Sequence, residues 1–421
     1  MKYISLITLL YFILFQSCVI SEDLNQNPQI ITITNTVTNT VIDTLEIIVY
    51  DDTFTVQELE SVPLYKKITT PLFAHYKTFY QTPNISGYWG GHWTWPNSNP
   101  EIIIDNQRRQ VSSNYYPIIG LYDSSDPFYL EYTMLTMKLA GFDGLIIGYY
   151  GNTDYLDYKT LLDNTDLTIE WAKKVGLKYP FLYETYVSEV IAENFGRNKK
   201  NVLKEHFIYM KENYFTDVDY FKIDGKPILM VFNPFVLSSN QDWQDVFSEI
   251  NNQLNFITFS ETSKNFNSDN FISGIFTWDD PKDELYEFGK KYKYTIGSFD
   301  FERHHFENDE RVFFSELGAK EEFQNALDHN VDLIQAVTWN FWREGNSIEP
   351  TLEYEFHQLV TVKEMLGLER NVENLILPLE LFKKRQENIG NELNNKKLDQ
   401  VFYYIISLQL EKANELLSSI D

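Results

Sequence analysis

The sequence predicts an α/β protein: a (β/α)8 TIM barrel with a C-terminal helical extension and an N-terminal lipoprotein tether. Three observations predict it. Eight short apolar runs follow one another between Leu72 and Trp339, helix-like stretches with recognisable end signals separate them, and the runs cease after Thr351. Eight parallel strands alternating with helices close most naturally into a barrel.

At the N-terminus, Met1-Lys2 makes a short basic start, Ile4 to Phe15 is an almost unbroken apolar run, and Phe15-Gln16-Ser17-Cys18 follows where a lipoprotein signal is cut. That run is too short to span a bilayer. Residues 1–17 therefore read as a lipoprotein signal peptide, and Cys18, the single cysteine of the chain, as the acylated new N-terminus. The same count excludes an intramolecular disulfide and a Cys-based zinc site. Glu22 and Asp23 look like the acidic tag of surface-exposed lipoproteins, so the expected location is the outer membrane of a Gram-negative bacterium, lipid-anchored and facing outward. Residues 18–62 contain a Thr/Asn/Val/Ile stretch from Ile30 to Val41 and the acidic Tyr50-Asp51-Asp52. Period-two alternation there permits a strand, but the polar bias favours a tether.

Residues 63–351 hold the barrel. Its strand runs are Leu72 to Tyr76, Gly144 to Ile147, Pro180 to Tyr183, Pro227 to Phe232, Phe256 to Phe259, Gly274 to Trp278, Tyr294 to Ser298, and Leu333 to Trp339. Between the first two lies an aromatic-rich excursion, Phe79 to Asp126, longer than an ordinary connection and so a functional loop. Asp126-Pro127 offers a cap and a first-turn proline for a helix that stops at Gly141, and a second helix through Leu167 to Val175 stops at Gly176. Val202 to Tyr214, Trp243 to Leu254, Lys282 to Lys291 and Glu316 to Asp328 read as further helices. In residues 352–421, Glu355 to Leu366, Leu379 to Gln386 and Leu398 to Ser419 keep helical periodicity without strands.

The net charge of −26 makes nucleic acid an improbable partner, since a polyanion gains no counterion release from such a surface. Aromatic residues make up 16% of the chain, more than a core alone requires, and sugar-facing clefts use such rings. In a barrel of this kind the chemistry lies at the C-terminal ends of the strands. There stand His75 and Tyr76, Gly148-Tyr149-Tyr150, Glu184, Asn233, Glu261, Trp278 with Asp279-Asp280, Asp300, and Trp339-Asn340-Phe341-Trp342-Arg343-Glu344. Polar and aromatic residues on one rim describe a carbohydrate cleft. A Gly-rich phosphate loop is lacking, and His304-His305 lack the spacing of a zinc site, so neither cofactor nor metal is expected.

A series of longer motifs runs along the chain. Gln81-Thr82-Pro83 with Gly87-Tyr88-Trp89-Gly90-Gly91-His92-Trp93-Thr94, then Asn114 to Ser124, Met137 to Gly144, Tyr183-Glu184, Asp224 to Pro227, Thr338-Trp339-Asn340 with Glu344-Gly345, and Ile348 to Thr351 occur in order. Together they resemble glycoside hydrolase family 71/99-like proteins, from about residue 70 to the end. The resemblance implies a (β/α)8 barrel and hydrolysis of α-linked glycans, with endo-α-mannosidase and α-1,3-glucanase activities in the two families. It implies a pair of acids after the last strand in a W-N-E-W-x-E-G pattern. Carried over, Glu344 is the general acid/base, while the base position is Phe341, which cannot accept a proton. Gly148 stands where the family has an aspartate, Thr185 replaces the aspartate of Y-E-D, and Asn114 replaces a histidine.

Glycosidases ordinarily need two carboxyl groups flanking the scissile bond. A substitute for the missing one is sought in Glu184 or Glu261, with Asp279 and Asp300 as further strand-end acids. The residues expected to line the cleft are His75, Tyr76, Trp89, His92, Trp93, Tyr149, Trp278, Asn340, Trp342 and Glu349. Two functions compete: a surface endo-acting hydrolase of internal α-glycosidic bonds in a polysaccharide such as α-mannan or α-glucan, and a non-catalytic glycan-binding protein derived from that fold.

Overall fold

The computed structural model describes residues 29–37, 40–49 and 54–420, apart from 96, 106–107, 252, 264–270, 279–282, 302, 305–310 and 313–314. Cys18, Asp279, Asp280 and His305 lie outside the described residues.

All eight predicted runs are strands of one parallel barrel. They are β1 (Leu72–Tyr76), β2 (Gly144–Tyr149), β3 (Phe181–Tyr183), β4 (Lys226–Val231), β5 (Asn255–Phe259), β6 (Ile272–Phe276), β7 (Tyr294–Phe299) and β8 (Leu333–Ala336). Each pairs with its sequence neighbour, and β8 returns to β1 with Ile334 opposite Leu72, closing the cylinder. The registers are set by alternation. On β1, Phe73 faces the interior, where it meets Ile146, Leu182, Met230 and Leu333, while Leu72, Ala74 and Tyr76 face the helices. A short strand, Lys222–Ile223, hairpins onto β4 through Asp224-Gly225. Both turn residues have positive φ (51° and 74°), the geometry for which an Asp-Gly pair is suited.

The helices between strands are α1 (Pro127–Ala140), α2 (Tyr158–Val175), α3 (Tyr186–Phe195), α4 (Lys199–Asn213), α5 (Asn240–Glu249), α6 (Asp283–Gly289) and α7 (Glu316–Asp328). The predicted cap of α1 is present: Asp126 accepts from the Phe128 N–H, and Gly141 ends the helix at φ 96°. Two expectations change. α2 begins nine residues before Leu167, at Tyr158, and α3 was not foreseen, because Thr185 before it makes no side-chain cap and gives no start signal. The tail forms α8 (His357–Met365), α9 (Glu373–Glu387), α10 (Glu392–Ile406) and α11 (Leu410–Ser418). The expected single helix Leu398 to Ser419 is thus two, separated where Leu408 takes a positive φ of 60°.

The stretch read as a tether carries regular structure. Gln29–Val37 and Thr40–Val49 pair antiparallel, so the alternation of apolar and polar residues, and not the polar bias, decides the local structure.

Residues 57–67 then run along the barrel's outer helices. Gln57 and Gln400 exchange hydrogen bonds, Val62 N–H donates to the Ile406 carbonyl, and Lys67 N–H to the Leu366 carbonyl. The buried Lys138 ammonium on α1 joins this segment to the barrel, donating to Ser61 Oγ (2.8 Å), the Val62 carbonyl (2.7 Å) and the Val175 carbonyl (3.1 Å). On the same helix, buried Glu131 takes a two-pronged bond from Arg385 of α9, at 3.0 and 2.8 Å. Planar guanidinium matched to carboxylate makes this a buried polar fastening between barrel and tail, in addition to the Lys320–Glu364 pair at 3.0 Å.

Burial pulls Lys138 down to about 8. Its unfolded value is about 10.4, so between those pH values the unfolded chain holds a proton the folded chain has released, and stability rises with pH across that window. Below it the ammonium is charged in both states. Urea unfolding of the wild type, relative to Lys138→Met, is expected to gain stability from pH 8 toward pH 10; parallel pH profiles in the two proteins would contradict this account.

Candidate active site

The rim is built where β1, β2, β3 and the loop after β8 converge. Past its last barrel residues, the β8 chain enters a buried turn in which Asn340 accepts the Lys77 N–H at 2.8 Å and donates to the Lys77 carbonyl at 2.9 Å. This reciprocal clamp ties the first strand's exit to the last strand's exit. A short 3-10 turn, Trp342–Glu344, follows and ends at Gly345 with φ 67°.

Lys77 and Glu184 meet inside this frame. The Lys77 ammonium is 3.1 Å from Glu184 Oε1, with side-chain exposures of 5% and 15%. It also lies 5.2 Å from the Phe341 ring centroid and 6.0 Å from that of Phe79. Phe341, at the base position, therefore presents a ring to a cation and offers no proton acceptor. At Gly148 a Cβ would stand 3.4 Å from the Tyr150 hydroxyl and 3.6 Å from Lys77 Cδ, ordinary contact distances, so Tyr150 and the lysine stem already fill the space beside it. Thr185 turns inward and donates to the Asn233 carbonyl at 3.1 Å, and Asn114 is exposed.

Glu344 and Glu184 act on a common neighbour. Burial pushes the Tyr150 hydroxyl well up, and the charges of Glu184, Asp157 and Glu344 push it further. Glu344 is half-buried. Arg343 beside it lies over the Trp95 ring at 4.4 Å. His92 stacks on Phe79 at 3.4 Å and 11°, and burial followed by the charges of Lys77 and Arg343 lowers it to about 3. It is a neutral imidazole at physiological pH. His75 faces the barrel interior, fully buried, edge-on to Trp278 at 4.8 Å. Burial, then the Lys77 charge, holds it well below its ordinary value, and neither ring nitrogen has a partner among the described residues. His75 and the half-buried Trp278 thus form the floor of the mouth.

Several residues expected in the cleft are elsewhere. Tyr76 and Tyr149 point outward into the layer between strands and helices, since an inward neighbour on a strand forces the next side chain out. Trp93 and Trp342, each 1% exposed, are pinned by indole bonds to the Tyr122 carbonyl and hydroxyl respectively. Asn340 serves backbone, and Glu349 is fully buried against Tyr122. None of these six has surface to offer a sugar. Trp89 is half-buried on the excursion, bonded to Glu101 and crossed by Arg109 at 5.6 Å. It lines a cavity of about 460 Å3 with Asn84, Arg108 and Tyr116. Glu261 is exposed on the Ser260–Ser263 turn after β5, and Asp300 is buried after β7.

Residues that sequence reasoning passed over also belong here. Lys77 directly follows the His75-Tyr76 pair, and its place two residues beyond inward-facing His75 was the available signal. Trp95 (47% exposed, with Arg343 over its ring) and Tyr186 (48%) are exposed rings near the acids, the latter two residues after Glu184. Among the described residues no group of three His, Cys, Asp or Glu is placed to hold a metal.

The family model described as "Glycosyl hydrolase family 99" matches residues 67–258. No curated protein matches the chain. Among solved structures, the family 99 endo-α-mannosidase from Bacteroides thetaiotaomicron, in complex with bis-tris-propane, superposes with TM-score 0.54 at 17% identity, covering 71% of this chain and 98% of that one. A second structure of that enzyme gives TM-score 0.52 at 17% identity over the same shares. A glycoside hydrolase-like protein gives 0.50 at 14%, over 74% and 96%. The chain thus resembles glycoside hydrolase family 99 over residues 67–258 and shares with these solved structures the (β/α)8 barrel fold.

Replacing Asn340 by alanine strips both partners from the Lys77 backbone, and each unsatisfied buried group costs about 1–3 kcal/mol. Asn340→Ala is expected to lower the unfolding free energy by an amount in that range or above it; an unchanged urea midpoint would show that the clamp is dispensable.

Proposed function

We propose that the protein hydrolyses internal α-glycosidic bonds of a polysaccharide, such as α-mannan or α-glucan, with Glu344 as acid/base and Glu184 as the second carboxylate. The observation that supports Glu184 over Glu261 is its ion pair with Lys77, whose ammonium also lies 5.2 Å from the Phe341 ring, at the start of the turn that carries Glu344. Glu261 stands exposed after β5, on the Ser260–Ser263 segment. Glu184 is also held in place by Lys77, which orients one carboxylate oxygen and leaves the other for substrate or water. The match to family 99 and the likeness to an endo-α-mannosidase fold favour an α-linked substrate. Trp95 and Tyr186 offer rings on which sugars stack.

The resulting polypeptide is placed at the cell surface by acylation of Cys18, the residue that ends the apolar run of the signal. Two or more acyl chains anchor a protein stably.

A second reading has its own support. Phe341 at the base position and a Lys77 ammonium committed to Glu184 suit a protein that holds glycan without cutting it.

Release of reducing ends from α-mannan and α-glucan separates the two. Losing a general acid or base typically costs roughly 10²–10⁴ in rate, so Glu344→Gln and Glu184→Gln are each expected to abolish most of the wild-type cleavage. Retained cleavage in Glu184→Gln removes Glu184 from the mechanism, and tight glycan binding with no cleavage by the wild type establishes the binding role.

A further inference from the structure

The turn that carries Glu344 rests on buried groups that face away from the cleft. Trp342, two residues earlier, donates its indole Nε1–H to the Tyr122 hydroxyl at 2.8 Å. Tyr122 donates onward to Glu349 Oε2 at 2.9 Å. An indole nitrogen can only donate, and a hydroxyl carries one proton. The acceptor at Glu349 therefore decides which way the Tyr122 proton points, and with it whether a lone pair faces Trp342.

The surroundings leave few alternatives. Tyr122 is stacked on Tyr129 at 3.7 Å and 10°, which fixes its ring. The Trp342 backbone N–H meets the Tyr80 hydroxyl at 3.3 Å, and that hydroxyl donates to the Asn340 carbonyl at 2.7 Å. Glu349, Tyr122 and Trp342 are 0%, 4% and 1% exposed, so solvent offers little competition for these bonds. Glu349 Oε1 has no partner among the described residues. A buried carboxyl held by one hydrogen bond is a costly arrangement, and its one bond is directed at the support of Trp342.

We propose that Glu349 is a positioning residue: through Tyr122 it orients the Trp342 indole and so sets where Glu344 stands at the cleft, without touching sugar. This rests on the reading of Glu344 as acid/base. Side-chain order and chemistry can be followed separately. The Trp342 indole N–H, observed in 15N-tryptophan-labelled protein, reports the brace directly, and kcat and KM on the α-glycan report its consequence.

In Glu349→Gln the amide can donate to Tyr122 and reverse its hydroxyl, and in Tyr122→Phe the stacked ring remains while the acceptor is lost. In both, hydrogen exchange of the Trp342 indole is expected to accelerate. A misplacement of about 1 Å costs on the order of 10²-fold in rate, so kcat is expected to fall by about that factor with KM little changed. Should Glu349→Gln fail to fold, Tyr122→Phe decides the matter. Unchanged indole exchange in a folded variant overturns the proposal, as does a raised KM at constant kcat, which would make Glu349 a substrate ligand. If the wild type cleaves no glycan, the hydrolase reading falls while indole exchange still tests the brace.

Discussion

The arrangement at the mouth depends on one reciprocal contact, the pair of hydrogen bonds between the Asn340 side chain and the Lys77 backbone. A closed cylinder needs its last strand joined to its first, and backbone pairing between β8 and β1 accomplishes this through Ala336 opposite Ala74 and a last bond from the Trp339 N–H to the His75 carbonyl at 2.7 Å. Beyond that point the two chains diverge into loops of unrelated conformation. An amide side chain, with one acceptor and two donors, imitates a further step of ladder and carries the closure up to the rim. Lys77 and the Trp342–Glu344 turn leave from opposite sides of this contact, so their separation is fixed by it.

Above the clamp, charge has been rearranged relative to the two-acid pattern that the family resemblance implies. Two family acid positions hold Gly148 and Phe341, and a lysine enters between them. In a chain of net charge −26 this ammonium is conspicuous. It pairs with Glu184, and it adds with Arg343 to the burial that keeps His92 uncharged. The site thus retains two carboxylates of unequal surroundings, one paired with a cation and one on a turn beside an arginine. Unequal environments are what acid/base division of labour requires.

The fold was largely legible because its signals are local and repeated. Each strand run, such as Leu72 to Tyr76 or Leu333 onward, is short, apolar and flanked by helix stops like Gly141 and Gly176, and eight such units leave little freedom of architecture. The site was legible only in part. Position at a strand end says that a residue is near the mouth, but the direction of its side chain depends on parity. Tyr76 and Tyr149 are one residue out of phase with His75 and Gly148, and therefore face the helices. Aromatic identity was equally ambiguous, since Trp93 and Trp342 are consumed as indole donors in the interior while Trp95 keeps its surface. The lysine went unnoticed because its significance lies in contacts with Glu184 and Phe341, which are distant in sequence.

The forked bond between Arg385 and Glu131 changes how the C-terminal segment should be regarded. By composition the chain seems divisible near residue 351, as if a barrel had acquired an appendix. Yet cutting there would strand an acid in the heart of α1, the helix whose Tyr129 stacks on Tyr122 beneath the mouth. The last seventy or so residues are accordingly a structural wall of the barrel, and a shortened version of this protein is a different folding problem from the whole.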